Sequence, residues 1–368
     1  MSLYNNLTSF IYMKKIIHNR GSIYCDGDLW SIFNSTLKTL NPSKLFILVD
    51  TNTREHCLPY FLSHYSLDLS PIILEFKSGE SQKNIHTCLN LWEKLSEKGT
   101  DRNSLIINLG GGVVTDLGSF VACTIKRGIE FINVPTSLLA MVDASVGGKN
   151  GVDLGTIKNQ IGTIKNPHSV FIDTSFLKSL PKNEVASGLA EMIKHGLITS
   201  EDYWDRVKDF DLKQTKLASE LIWESIEIKN SIVTIDPFEK DQRKTLNYGH
   251  TLGHAIESFC LSSPKRQEML HGEAVAIGMI LATFISSELT AFPKDKRDKI
   301  TANILTIFKR QNFNEEEIKS ILKYLMFDKK NADGKIYFVL LKNFGEYKIN
   351  CEVPNNLIYS AFEYYKKF

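Results

Sequence analysis

Short apolar runs alternate with amphipathic segments in the first half of the chain. The apolar runs predict strands at residues 44–49, 71–76, 104–109 and 129–134. Helix-length segments lie between them, at about 54–65, 82–97 and 113–125. Strands separated by helices of roughly 10–15 residues are typical of a parallel sheet with helices packed on its faces. The pattern therefore predicts an α/β domain over residues 1–180.

The pattern changes near residue 181, where long amphipathic segments replace the alternation. These segments predict helices over residues 183–199, 213–235, 245–259, 272–289 and 295–313. Two short apolar runs, 335–341 and 346–349, predict a small hairpin, and 355–368 predicts a closing helix. Because no long linker separates the halves, residues 181–368 are expected to form a mainly helical domain facing the first one across a cleft.

Composition excludes several classes of protein. The 368 residues carry 44 basic and 42 acidic side chains, a net charge of +2, whereas a dedicated nucleic-acid binder shows a strong basic excess. No apolar run approaches the roughly 20 residues that span a bilayer, and residues 1–13 lack the pattern of a secretion signal. Six scattered cysteines without a Cys-x-x-Cys pair are typical of a reduced protein. We therefore expect a cytoplasmic protein without nucleic-acid or membrane partners.

Three loops follow predicted strands and would meet at one edge of the sheet. Gly110-Gly111-Gly112 ends the third strand and opens a helix, where backbone N–H groups can bind a phosphate. This loop is not the ordinary dinucleotide fingerprint, because Thr115 stands where the third glycine would be. Gly79 to Lys83 follows the second strand, and Asp50 ends the first with a carboxylate suited to ribose hydroxyls. Together they predict a nucleotide crevice, although a tight turn explains any one of them.

A polar segment with little predicted regular structure follows at 143–165. It contains Gly147-Gly148-Lys149, which is not a P-loop, because Asp143 occupies a glycine position and Asn150 follows the lysine. A polar loop of this length in a compact domain is usually functional, and the alternative is a solvated surface loop.

The stretch 243–257 concentrates polar groups within one predicted helix. Arg243, Asn247, His250 and His254 follow one another at intervals of one turn, so they would share one face. A face of this kind is typical of a helix that lines a polar cavity. The spacing alone favours His250 and His254 as metal ligands.

A third metal ligand has more than one candidate. Glu191 and His195 form a second pair at i,i+4, and His271 opens the next predicted helix. From spacing, either His195 or His271 completes the set. Nitrogen and carboxylate ligands without cysteine suit zinc, cobalt or iron.

Cationic side chains lie on segments that could converge on the same cleft. Such a cluster predicts a pocket for a substrate that carries both a carboxylate and a phosphate, although a single Lys or Arg is more often solvated. The candidates are Arg127, Lys149, Lys194, Lys229 and Arg243.

The combined motifs resemble those of the 3-dehydroquinate synthase family. In chain order they are Gly79-Glu80-x-x-Lys83, Gly110-Gly111-Gly112-Val113-x-x-Asp116, Pro135 to Asp143, Gly147-Gly148-Lys149, Lys158-Asn159, Ala190-Glu191-x-x-Lys194, Arg243 to Glu257, and His271-Gly272-Glu273-Ala274-Val275. They span about residues 50–280, whereas residues 290–368 match loosely, through Asp328-Lys329-Lys330 and the strand near Phe338. The chain departs from the pattern at Thr115, Ser137 and Asn150. The segment 261–270, which precedes His271, is also longer than is usual in the family.

The resemblance implies a Rossmann-like NAD-binding domain, a helical metal-binding domain and a homodimer. It assigns Zn²⁺, or Co²⁺, to Glu191, His250 and His271, and it moves His254 from the metal to the substrate. It implies catalytic roles for Asp143, Lys149, Asn247 and His254. It implies substrate contacts for Arg127, Lys149, Asn159, Lys194, Lys229, Arg243, Asn247 and His254, with Arg127 possible across the dimer. It implies NAD contacts for Asp50, Asn52, Gly79, Glu80, Lys83, Gly111, Gly112, Val113, Asp116, Thr136, Ser137, Lys149, Lys158 and Ser179.

The activity that the resemblance implies is a lyase reaction of the shikimate pathway. It converts 3-deoxy-D-arabino-heptulosonate 7-phosphate to 3-dehydroquinate and phosphate, through transient oxidation by NAD, phosphate elimination, re-reduction and aldol closure. Alternatives are another sugar-phosphate cyclase, a metal-dependent alcohol dehydrogenase of glycerol dehydrogenase type, and a binding module without catalysis. A binding module without catalysis would lack one of the metal ligands, whereas Glu191, His250 and His271 are all present in the sequence.

Overall fold

The computed structural model describes residues 13–18, 21–155, 157–325 and 336–368. The loosely matching motif Asp328-Lys329-Lys330 lies outside these residues, as does the predicted start of the hairpin at residue 335. The described strands are β1 Lys14–His18, β2 Gly21–Cys25, β3 Leu45–Asp50, β4 Ile72–Phe76, β5 Leu105–Gly110, β6 Glu130–Pro135, β7 Lys149–Leu154, β8 Ile157–Ile164, β9 Ser169–Ile172, β10 Tyr337–Asn343 and β11 Glu346–Glu352.

The described helices are α1 Leu29–Leu40, α2 Thr51–His56, α3 Leu58–His64, α4 Ile85–Glu97, α5 Gly112–Thr124, α6 Lys182–Thr199, α7 Glu201–Val207, α8 Thr215–Ile235, α9 His250–Ser262, α10 His271–Leu289, α11 Lys294–Ile307, α12 Glu315–Leu325 and α13 Asn355–Lys367. Short 3-10 turns at Glu80–Gln82, Ile125–Arg127, Thr174–Ser179 and Gln242–Asn247 and a π turn at Ala140–Ala144 connect some of them.

A seven-stranded sheet organises the N-terminal half, in the order β1-β2-β9-β6-β5-β3-β4. Its strands pair in parallel except for the antiparallel edge pair β1–β2, which confirms the predicted α/β fold with a largely parallel sheet. Alternate side chains of β3 pack on opposite faces, with Ile47 in the larger core and Leu48 in the smaller one. Helices cover both faces, as a parallel sheet requires.

Helices dominate after residue 181, as the pattern predicts. The change falls between the turn Thr174–Ser179 and α6, close to the expected boundary at 180. One hydrophobic core runs from Ile172 at the end of β9 to Leu189 in α6 and onward into α9 and α10. The division into domains 1–180 and 181–368 therefore stays a prediction.

Helix α10 is the core helix of the C-terminal half. It is long and apolar enough to cross a membrane by length and composition, but 78% of its apolar window is buried among the surrounding elements. It lies against α9 with very little space between the backbones. A Cβ added at Gly278 would lie 2.0 Å from the backbone oxygen of Gly249, and one added at Gly253 would lie 3.1 Å from the Cα of Val275.

Several predicted elements were wrong in detail. The polar segment 143–165 is not a loop, because β7 and β8 form an antiparallel hairpin within it. The helix expected at 54–65 is two helices divided at Cys57, and the helix expected at 295–313 ends at Ile307. The strands β1, β2 and β9 and the helices α1, α7 and α12 were not predicted.

The close contact of α9 and α10 makes a testable prediction at Gly278. Gly278→Ala places a methyl group against the backbone of Gly249, so we expect the free energy of unfolding to fall by about 1–3 kcal/mol. Urea denaturation followed by circular dichroism measures it. Glu288→Ala, on the exposed end of α10, is the control and should change stability by less than about 0.5 kcal/mol. Equal stability of the two variants would contradict the close packing.

Candidate active site

One large cavity opens between the carboxyl edge of the sheet and the helices of the C-terminal half, with a volume of about 1710 Å³. All the residues predicted to bind NAD, substrate or metal line it, except Arg127 and Glu191. Glu191 is fully buried beside the cavity, against two of its lining histidines. Arg127 is exposed and lies outside the cavity. The structure therefore brings together residues that lie more than 200 positions apart.

The three loops predicted to hold a nucleotide lie side by side at the ends of β3, β4 and β5. At the first, the Asp50 carboxylate accepts a hydrogen bond from the Thr53 backbone N–H (2.7 Å) and caps α2. At the third, α5 begins at Gly112, so its free backbone N–H groups face the cavity. The hydroxyl of Thr115 donates to the backbone oxygen of Gly111 (3.2 Å), so threonine is accommodated in place of glycine.

The hairpin β7–β8 is joined to this crevice by a hydrogen bond from Lys83 to Asn159 and by an ion pair between Lys158 and Glu80 (2.7 Å). The ammonium of Lys83 contacts the Asp116 carboxylate (2.7 Å) and donates to the side-chain oxygen of Asn159 (2.7 Å). Burial opposes the charge on Lys83, but Asp116 and Glu80 hold the pKa of Lys83 above its usual value. Ion pairs among the predicted cofactor residues, Lys83 with Asp116 and Lys158 with Glu80, therefore hold these side chains in place.

Glu191 and two histidines form a cluster that fits a divalent metal. Oε1 of Glu191 lies 3.3 Å from Nε2 of His250 and 3.6 Å from Nε2 of His271. This oxygen is buried and has no hydrogen-bond partner among the described residues. A buried carboxylate oxygen rarely stays unpartnered, so its convergence with two imidazole nitrogens fits a bound cation. Two imidazoles and one carboxylate are a donor set suited to zinc or cobalt.

Contacts at the Nδ1 atoms of His250 and His271 orient the Nε2 atoms of both rings towards Glu191. Nδ1 of His250 lies 3.2 Å from the backbone oxygen of Tyr248, and Nδ1 of His271 lies 3.1 Å from Oε2 of Glu257. Such partners fix the ring orientation of metal-binding histidines. Glu257 ends the motif Arg243 to Glu257, but neither its spacing nor the resemblance gave it a role. Its place seven residues after His250, on the same face of one helix, was the signal that could have identified it.

His254 lies close to the other two histidines. Its ring centroid is 5.2 Å from that of His250 and 5.5 Å from that of His271, and one ligand atom of each lies within 4.8 Å of the others. The spacing-based choice and the family-based choice are therefore both geometrically possible. The unpartnered oxygen of Glu191 favours the set with Glu191, and the assignment stays a prediction.

A second donor group, Asp143, Glu191 and His195, is already neutralised by ammonium groups. Lys194 contacts Glu191, and Nζ of Lys229 lies 2.8 Å from Oδ1 of Asp143. Although burial opposes the charge, Lys229 and Lys194 hold the pKa of Asp143 below its usual value. His195 belongs to this second group and not to the group of His250 and His254. Of the two histidines that spacing offered as a third metal ligand, His271 is therefore the better candidate.

Buried cations face the part of the cavity next to the metal cluster. Lys194 and Arg243 are each at most 3% exposed, and Lys229 is 6% exposed. Burial lowers the pKa of Lys229, and the charges of Lys194 and Arg243 add to this effect. Arg243 donates to the backbone oxygens of Gly147 (2.9 Å) and Pro237 (2.7 Å). The adjacent Asp143 carboxylate opposes the lowering of the pKa of Lys229, and the role of these three cations in binding the substrate stays a prediction.

Glu239 is a site residue that the sequence analysis missed. Its two carboxylate oxygens contact the ammonium of Lys149 and the side-chain amide of Asn247, two predicted substrate ligands. Its backbone is left-handed, with φ of 57°. The only sequence signal was its position four residues before Arg243. Glu239 thus supplies an anion where the substrate's anionic groups are expected.

The predicted single helical face is wrong. Gly249 has φ of 79°, a left-handed conformation that interrupts the chain between the turn Gln242–Asn247 and α9. Arg243 and Asn247 therefore lie on the turn, and only His250 and His254 share the helix. All four still line the cavity, because the turn and the helix N-terminus open on the same side.

Solved structures with the same fold give the class of protein. A crystal structure of 2-deoxy-scyllo-inosose synthase complexed with carbaglucose-6-phosphate, NAD⁺ and Co²⁺ superposes with a TM-score of 0.81 at 26% identity, covering 96% of this chain and 99% of that one. A glycerol dehydrogenase from Sinorhizobium meliloti, at 13% identity and a TM-score of 0.61, shares the fold alone. The fold is thus that of the sugar-phosphate cyclases.

Sequence comparisons narrow the class to one family. Family models for the N-terminal and C-terminal parts of 3-dehydroquinate synthase match residues 73–187 and 188–331. The 3-dehydroquinate synthase of Parabacteroides distasonis is 40% identical over 342 residues, covering 92% of this chain and 96% of the relative. That of a Thermoanaerobacter species is 38% identical over 320 residues, covering 85% and 88%. The chain belongs to the 3-dehydroquinate synthase family.

Buried His195 predicts a pH dependence of stability. Burial lowers the pKa of His195 to about 3, and its Nδ1 is 2.7 Å from the hydroxyl of Ser225. The unfolded chain therefore takes up this proton at a higher pH than the folded chain does. The stabilising contribution is complete above about pH 6.5 and is lost as the pH falls towards 3.

Replacing His195 should remove this dependence. Between pH 6 and 4, the free energy of unfolding of His195→Gln should fall less steeply than that of the wild type, by roughly 1 kcal/mol per pH unit. Urea titrations of the metal-free proteins measure both slopes. His86→Gln, on the surface of α4, is the control and should keep the wild-type slope. Equal slopes in all three proteins would contradict the buried neutral imidazole.

Proposed function

We propose that this cavity converts 3-deoxy-D-arabino-heptulosonate 7-phosphate to 3-dehydroquinate and phosphate, with recycled NAD and a bound Zn²⁺ or Co²⁺. The observation that carries the proposal is one cavity that joins the glycine loops, the buried cations and the Glu191–His250–His271 cluster. Membership of the 3-dehydroquinate synthase family supports the choice of reaction.

The strand ends of the sheet would hold the cofactor. Backbone N–H groups at Gly111 and Gly112 suit a pyrophosphate at the start of α5, and Asp50 suits a ribose hydroxyl. When bound, NAD accepts a hydride from one substrate carbinol and returns it later, so no net oxidation results. The related inosose synthase, which is complexed with NAD⁺ and Co²⁺, supports both cofactors here.

Glu191, His250 and His271 would hold the metal. Bound there, a divalent ion supplies Lewis-acid chemistry at a substrate oxygen. The residues that would hold the metal and those that would hold the cofactor line or border the same cavity. His254 lies one turn after His250 and lines the same cavity, where an imidazole can move protons between substrate hydroxyls.

Buried cations would hold the two anionic ends of the substrate. Lys194, Lys229 and Arg243 are buried, which strengthens their attraction for a carboxylate or phosphate, although Glu191 and Asp143 offset part of the charge of the two lysines. Lys149 and Asn247 are two further predicted ligands, and Glu239 contacts both of them. Substrate binding therefore displaces Glu239. Asp143 stays ionised and positions the ammonium groups beside it.

The predicted homodimer and the cytoplasmic location also remain parts of this proposal. Arg127 is exposed and outside the cavity, so its expected contact with the substrate phosphate requires a second copy of the chain. All six cysteines are free thiols, which suits a reducing compartment.

Two alternatives are less well supported. Another sugar-phosphate cyclase shares the fold, but the inosose synthase is 26% identical, whereas the 3-dehydroquinate synthase of P. distasonis is 40% identical. A polyol dehydrogenase needs no phosphate-binding cations, and the buried Lys194, Lys229 and Arg243 argue against one.

One assay tests the reaction. The protein is incubated with NAD, Zn²⁺ and the heptulosonate phosphate, and phosphate release and NADH absorbance are followed together. We expect many equivalents of phosphate without lasting NADH, because the hydride returns to the substrate. Glycerol replaces the substrate in a parallel reaction. Sustained NADH formation with glycerol, or NADH without phosphate, would sink the proposal in favour of a dehydrogenase.

Two variants separate the metal ligand from its neighbour. His271→Ala removes a donor that faces Glu191, so we expect the purified protein to lose its bound zinc. His254→Ala should keep about one zinc per chain while it loses activity. Elemental analysis measures the metal, and circular dichroism checks folding. Zinc loss from His254→Ala with retention in His271→Ala would restore the assignment based on spacing.

A further inference from the structure

Glu257 is a buried carboxylate that the proposed reaction does not use. It is 6% exposed and lies on α9. Its Oε2 is 3.1 Å from Nδ1 of His271, and its Oε1 is 3.1 Å from Nζ of Lys158. One carboxylate thus contacts a candidate metal ligand with one oxygen and a candidate cofactor ligand with the other.

Lys158 extends this contact into the cofactor crevice. Its ammonium lies 2.7 Å from Oε1 of Glu80 and 3.5 Å from Oδ2 of Asp153, in addition to Glu257. Lys158 lies on β8, whereas Glu80 follows β4 at the carboxyl edge of the sheet. The order of contacts Glu80, Lys158, Glu257, His271 and Glu191, which we call the ion-pair chain, therefore runs from the crevice to the metal cluster.

The ion-pair chain is buried in its central part. The side chains of Lys158 and Glu257 are each 7% exposed, so solvent screens their interaction little. Burial opposes the charge on Lys158, but Glu257 and Glu80 keep its pKa above the usual value. Removal of one charge would leave its buried partners less fully compensated, which is costly. These contacts are therefore continuous from the cofactor crevice to the metal cluster.

We propose that the ion-pair chain couples the two sites, with Glu257 as the residue that positions His271. The proposal takes NAD and the metal from the proposed function and adds that each strengthens the binding of the other. NAD bound against Glu80 and Lys158 fixes the Lys158 ammonium and hence the Glu257 carboxylate. Glu257 then holds the His271 ring with Nε2 aimed at Glu191. A metal on His271 fixes the same groups from the other end.

The wild-type protein provides the first test. Zinc affinity is measured by competition with a chromogenic chelator, with and without saturating NAD. NAD affinity is measured by calorimetry, with and without zinc. We expect both affinities to rise by the same factor, about fivefold or more, because coupling between two sites is reciprocal.

The outcomes are distinguishable. If both ligands bind and the factor is one or less, the coupling is overturned and the proposed function survives. If neither ligand binds, the proposed function itself fails. Equal factors above one support the ion-pair chain as the route, provided the variants below lose it.

Two variants and a control locate the coupling. Glu257→Gln keeps the size of the side chain but removes its charge, so zinc affinity should fall by about 10- to 100-fold and the coupling factor to about one. The NAD affinity of the metal-free variant should stay near that of the wild type. Lys158→Gln weakens NAD binding directly and should also lose the coupling. Glu268→Gln, an exposed carboxylate on the rim of the same cavity, should keep the wild-type factor.

Folding of every variant is checked by circular dichroism. If Glu257→Gln does not fold, Lys158→Gln decides, since it leaves the contact between Glu257 and His271 intact. Wild-type coupling in a folded Lys158→Gln overturns the route through the ion-pair chain.

Discussion

The site depends on one unpartnered oxygen, Oε1 of the buried Glu191 carboxylate. A buried anion needs compensation, and here one oxygen has the ammonium of Lys194 whereas the other faces the Nε2 atoms of His250 and His271. Helices α6, α9 and α10 must therefore meet within a few ångströms. The glycines that let α9 and α10 approach, at 249, 253 and 278, serve this requirement. The close packing of these helices is therefore what brings Glu191, His250 and His271 together.

The β7–β8 hairpin is the second constraint, because it joins the two halves at the cavity. Lys158 and Asn159 are neighbours in sequence, yet Lys158 contacts Glu257 in the helical half and Asn159 accepts from Lys83 beside the sheet. A rigid hairpin holds these contacts better than the polar loop that the sequence pattern suggested. The position of the hairpin therefore helps to set the width of the cavity.

Periodicity was enough to predict the parallel sheet and the change to helices near residue 181, since both follow from repeating apolar positions. It was not enough for the active-site stretch, where the left-handed Gly249 replaces one helix by a turn and a helix. It also missed the hairpin, because glycines and charges hide its alternation. Glu239 and Glu257 could not be assigned from spacing, as their roles depend on Lys149 and Lys158, about 90 to 100 positions away. The resemblance to a family supplied roles that local patterns could not.

Glu239 is a carboxylate of the protein itself that competes with other anions for Lys149 and Asn247. A carboxylate tethered beside Lys149 and Asn247 has an effective concentration set by its short connection to the turn, and such values reach the millimolar range. Small inorganic anions must exceed this local concentration before they can occupy those two side chains. A substrate that bears two anionic groups overcomes it by binding at several points together. Competition by the Glu239 carboxylate thus favours a substrate with two anionic groups over free inorganic phosphate.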